Sequence, residues 1–87
     1  MPTVAQLNAG VRIMQHYAEH GVPHFHAVQG GNRVSIEIAL PLRVIKGSLQ
    51  GSALVDVIGW AKTHRAALAL NWVDAIAQAP LAKISYP

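Results

Sequence analysis

The stretch HFHAVQGGNRVSIEI, His24 to Ile38, holds two alternating runs separated by Gly30-Gly31. A Gly-Gly pair between such runs signals a β-hairpin, because both glycines can take the positive φ of a tight primed turn. With a two-residue loop, Gln29 faces Asn32, Val28 faces Arg33 and Ala27 faces Val34. Continuing, His26 faces Ser35, Phe25 faces Ile36 and His24 faces Glu37. Directly opposed residues share a face of the sheet. One face is therefore Phe25, Ala27, Val34 and Ile36, with Ile38 following. The other is His24, His26, Arg33, Ser35 and Glu37, with Val28 as its one apolar member. A slip of a single residue would mix the two sets, so the hydrophobic pattern itself selects the register.

Upstream, residues 11–18 (VRIMQHYA) also alternate, with Val11, Ile13 and Tyr17 on one side and Arg12, Met14 and His16 on the other. This predicts a strand. Glu19 to Pro23 reads as a turn, with Gly21 and Pro23 as breakers. Downstream, LRVIK at 42–46 predicts a further short strand after Pro41. Ser52 is the expected N-cap of a helix starting at Ala53, whose apolar stripe is Leu54, Val57, Ile58 and Ala61. Leu68, Trp72, Val73 and Ile76 continue the stripe. One helix over residues 53–78 would be long for so small a chain. Two helices are expected, broken near Thr63-His64-Arg65, with Thr63 capping the second and Pro80 ending the helical region. Trp60 and Trp72 belong to the core, where large aromatics dominate. Residues 81–86, LAKISY, return as a short strand or an ordered tail. The apolar sheet face and the helical stripe need one another. The expected fold is a single α+β domain over residues 1–87: a small antiparallel sheet of three to four strands followed by two helices packed on one face, with the polar face open.

Composition narrows the function classes. The chain has 87 residues, 52% of them hydrophobic and 13% charged, against about 25% charged in ordinary domains. So apolar a small chain suits a subunit or a homo-oligomer. The net charge is +3, and protonating all five histidines as well would bring it to +8. The seven Lys and Arg are scattered, so composition alone lends little to nucleic-acid binding. There is no cysteine, which excludes disulfides and Cys-ligated zinc. No basic segment followed by an apolar stretch opens the chain, and Asp56 interrupts its most apolar segment, so neither a signal peptide nor a membrane helix is expected. A cytoplasmic location follows as the expectation. GNR and GSLQGS lack the Lys-Ser/Thr of a phosphate loop.

The candidate site is the polar sheet face. Histidines at i and i+2 on a strand point the same way and can share an ion, with Glu37 or His16 as a third ligand. Acid–base chemistry without a metal is the other chemical reading. His24 paired with Glu37, His26 beside them, and Arg12 or Arg33 holding a phosphate would suit RNA cleavage. His64 and Arg65 at the helix break form a second basic spot, although such residues more often satisfy helix-end carbonyls. Asp56 and Asp74 read as solvated helix residues. The bland alternative for the histidines is a wet sheet face or a partner-binding surface. A face of neutral imidazoles is cheaper to desolvate than one of Lys and Glu.

The PHFH box at Pro23 to His26, WAKTHR at Trp60 to Arg65, Asn71-Trp72, the opening MPTV and the closing PLAKI occur together. In these the chain resembles a bacterial family of small proteins known as a domain of unknown function (number forty-one-sixty), from Met1 to Ile84. The resemblance implies a small bacterial protein, often encoded beside a second small protein in a toxin–antitoxin-like pair. It implies no chemistry. Family members commonly carry a second proline where Val22 stands and acidic residues where Ala66-Ala67-Leu68 stand. The resulting expectation is a partner-binding component of a two-gene module, with no cofactor and no assigned metal ligand. The alternatives are a metal-independent ribonuclease using His24, His26 and Glu37, and a histidine-based metal-binding module.

Overall fold

The computed structural model describes residues 2–17 and 19–87. Five antiparallel strands run as a meander in the order β1 (Thr3–Gln6), β2 (Arg12–Met14), β3 (His24–Gln29), β4 (Asn32–Glu37) and β5 (Val44–Gly47). Two helices follow, α1 (Gly51–Thr63) and α2 (Arg65–Ile76). This is the expected α+β layout with more strands. β1 went unpredicted because TVAQ is too short to show an alternation. No helix among the described residues is long and apolar enough to cross a membrane.

The β3–β4 register is the expected one at all six positions, from His24↔Glu37 to Gln29↔Asn32. Gly30 has φ +57° while Gly31 is not in the left-handed region. A positive φ at the first central position alone is the pattern of a type II′ turn, in place of two positive residues. The apolar face behaves as its composition requires. Ile13, Phe25, Ala27, Val34 and Ile36 are fully buried. They form one core with Val57, Trp60 and Ala61 of α1 and Leu68 of α2.

Several local expectations need correction. The strand foreseen over 11–18 stops at Met14, and Tyr17 lies in a turn. Ala18 lies outside the described residues. Gln15 is the first residue past the strand, and its Nε2 donates to the Leu68 carbonyl of α2 at 3.0 Å. Helix α1 begins at Gly51, so Ser52 lies within its first turn, and no side chain caps it. The break does fall at His64, but Thr63 donates back to the Gly59 carbonyl instead of capping α2. Val73 and Ile76 are about 60% exposed, and Ala75 takes the inner position instead. Asp56 is not simply solvated; it accepts a hydrogen bond from the Tyr86 hydroxyl at 3.0 Å.

The helices sit differently on the sheet. α1 covers the apolar face, its Trp60 ring edge-on to Phe25 at 6.5 Å. α2 crosses the end of the sheet where β2 stops and β3 begins. Arg65 donates to the Ile38 carbonyl, and Trp72 reaches the His24 ring at 5.1 Å. The tail after α2 is ordered without being a strand. The amide of Ile84 donates to the Val4 carbonyl at 2.7 Å, and Lys83 Nζ donates to the Thr3 carbonyl.

Candidate functional site

The polar sheet face is not open throughout. Across the strands, Met14, His26, Ser35 and Lys46 fall in one row, and Arg12, Val28 and Arg33 in the next. The segment between β2 and β3 folds back over the first of these rows. His26 is consequently only 9% exposed, and Met14 beside it is also buried. A strand residue expected to face water is thus covered by its own preceding turn.

Glu19 supplies the carboxylate of the site. Its Oε1 lies 2.6 Å from His26 Nε2, and its Oε2 lies 3.5 Å from His24 Nε2. The other nitrogen of His26, Nδ1, lies 3.0 Å from the Ser35 hydroxyl. Glu19, His26 and Ser35 therefore form a continuous carboxylate–imidazole–hydroxyl line. His24 Nδ1 donates to the Val22 carbonyl at 2.7 Å, which leaves its Nε2 turned toward Glu19. His16 joins the group, its ring centroid 4.6 Å from that of His26.

Electrostatics follow from this crowding. Burial acts to push the Glu19 carboxyl up, but the His26 hydrogen bond and the neighbouring imidazoles outweigh it, and the group is held below its ordinary value. Burial, reinforced by His26, lowers His16, against the opposing pull of Glu19. Glu19 is thus a carboxylate at neutral pH and His16 is a neutral base, because a buried imidazolium is disfavoured.

The expected partner of His24 is corrected. Glu37 is opposite His24 in the backbone ladder, yet its carboxylate turns to Arg43 Nε at 3.4 Å. Arg12 and Arg33 both flank Val28 and are exposed. Arg33 shares a cleft with His26, Ser35 and Lys46, whereas Arg12 does not line it. His64 and Arg65 do not join the histidines. The His64 ring packs on Trp60 at 5.0 Å, and Arg65 is spent on the Ile38 carbonyl. Glu19 was missed because a carboxylate in a Gly/Pro turn carries no periodicity, and Ser35 because a strand serine facing a histidine is common. The one signal available was the density of titratable residues from His16 to His26.

A second cleft runs from the turn at His20–Val22 to β5. His24, His26, Ser35, Ile45 and Lys46 line its remainder. The arrangement can accept a proton at His26, hold an anion at Arg33 and Lys46, or offer imidazole and carboxylate donors to an ion.

The family model described as Domain of unknown function (DUF4160) matches residues 10–73. That span takes in every member of the histidine cluster and leaves β1 and the tail outside. No curated protein and no solved structure matches the chain.

Proposed function

Since the chain belongs to the DUF4160 family, whose resemblance implies a companion gene, we propose that it is the partner-binding component of a two-protein module of the toxin–antitoxin kind. The observation that carries this reading is the asymmetry of the two sheet edges. At β1 the tail occupies the Val4 and Thr3 carbonyls. At β5 all four residues are exposed, Val44 by 45% and Ile45 by 48%, with Leu40 and Val22 exposed as well. An open edge with apolar side chains invites an added strand from another chain. Lys46, the one charge on β5, guards against pairing of two identical edges.

The test is co-expression with the neighbouring gene's product. The companion is expected to co-purify with the wild-type chain. A Val44→Glu/Ile45→Glu double variant is expected to keep its melting temperature and lose the companion. Two half-exposed side chains contribute about 2 kcal/mol, or roughly thirtyfold in affinity. A chain that purifies alone when both genes are expressed, or a double variant that retains the companion, sinks this reading.

The Glu19–His26–Ser35 line beside Arg33 and Lys46 favours one second reading, a metal-independent ribonuclease with Glu19 in the role first expected of Glu37. Purified protein would then cut RNA in EDTA, and His26→Ala would abolish cutting without unfolding the chain. Intact RNA at high protein concentration rejects it.

A further inference from the structure

His16 and Glu19 come from the segment that follows β2, and His26 comes from β3. One donor atom from each lies within 4.8 Å of the other two. Both ring nitrogens of His16 are buried and have no hydrogen-bond partner among the described residues. A buried polar atom left unpaired costs about 1–3 kcal/mol, and native structures rarely carry two on one ring without a ligand or ordered water to complete them. Here the unpaired ring faces an imidazole and a carboxylate.

We propose that His16, Glu19 and His26 bind one divalent transition-metal ion of the zinc class, as a three-ligand site with an open coordination position. Two imidazoles and one carboxylate form a donor set that zinc accepts with a fourth position left for water or substrate. Calcium and magnesium require mostly oxygen donors, so they fit poorly. The partners behind the donors agree with this assignment. Ser35 Oγ engages His26 Nδ1 and so directs Nε2 at Glu19. His24 Nε2 stands 3.5 Å from the second Glu19 oxygen. Outer partners such as the Ser35 hydroxyl orient metal ligands.

The ion would take the place of the proton now shared between His26 Nε2 and Glu19 Oε1. That contact of 2.6 Å would open to roughly 3.3 Å, the spacing of two ligands about 2.0–2.1 Å from a tetrahedral ion. His26 would exchange its Nε2 hydrogen for one on Nδ1, which donates to Ser35 Oγ, so the imidazole stays neutral and no net proton is released. The site would fasten the segment before β3 to the sheet, and one of its ligands, His26, lines the cleft shared with His24 and Ser35. This assignment is independent of the partner-binding reading.

The experiment uses chelator-stripped, untagged protein titrated with zinc by calorimetry, with thermal melting in parallel. One ion per chain and a raised melting temperature are expected, and cobalt(II) should give the intense visible bands of a tetrahedral site. His16→Gln and Glu19→Gln should each weaken zinc binding by more than a hundredfold, Ser35→Ala by about 10–100-fold, and His20→Gln not at all. The proposal is overturned by the absence of heat and melting shift in millimolar zinc, by His16→Gln or Glu19→Gln binding like the wild type, or by His20→Gln abolishing binding. Should His16→Gln fail to fold, the partly exposed Glu19→Gln and the wild-type cobalt spectrum decide the question: unchanged affinity in the first, or octahedral bands in the second, rejects the site.

Discussion

Replacing Asn71 by Ala removes a node that joins three parts of the chain. Asn71 Nδ2 donates to Gln15 Oε1 at 3.1 Å and to the Ala82 carbonyl at 2.9 Å, while its Oδ1 accepts from the Ala82 amide at 3.0 Å. Both amide side chains are buried. The substitution leaves the buried Gln15 oxygen unpaired, at a cost of about 1–3 kcal/mol, and forfeits two hydrogen bonds to the exposed Ala82 backbone, worth about 0.5–1.5 kcal/mol each. A loss of roughly 2–4 kcal/mol in denaturant unfolding is expected. A loss under about 0.5 kcal/mol, the range of an ordinary surface change, would show that water replaces the node without penalty. None of this was legible in the sequence. Gln15 and Asn71 are far apart in the chain, and a lone Asn on a helix reads as a surface residue until the tail is seen lying against it.

At β5 the decisive residue is Gly47. It has φ +82°, and a Cβ there would come within 2.1 Å of the Arg33 carbonyl oxygen. The conformation alone costs a non-glycine residue about 1–3 kcal/mol, and the obstacle is backbone that cannot rotate away. Gly47→Ala is expected to lower stability by at least that amount and to release β5, with loss of hydrogen-exchange protection in residues 44–47 while β2 and β3 stay protected. A variant with wild-type melting and exchange would contradict this account. The element level is also where sequence reading worked best. Strict alternation with two glycines between the runs left one acceptable register for β3 and β4, and that register is present. It failed where tertiary contacts override local pattern. α2 shows its Val73 and Ile76 to solvent because it lies across the end of the sheet and not flat upon it. The histidine site was legible in part for the same reason: its strand members follow from periodicity, whereas Glu19 arrives on a turn whose path nothing local dictates.

In the whole molecule, the two sheet edges are managed by different means. Five strands in sequence order leave β1 and β5 as the margins, and the residues after α2 cover only the first. On the reading proposed above, the open margin would receive a partner's strand; the covered one is taken by the tail. Deleting residues 81–87 would bare β1 and also strip Asn71 of its Ala82 contacts. Each molecule would then present two unlike, mutually compatible margins. Such contacts are heterologous and do not close on themselves. Light scattering is therefore expected to show growth into indefinite linear polymers for the trimmed chain and a discrete particle for the intact one; a trimmed chain of fixed small size would refute this. On that same reading, residues 81–87 would act as a terminator, limiting to one the number of neighbours a molecule recruits through its sheet.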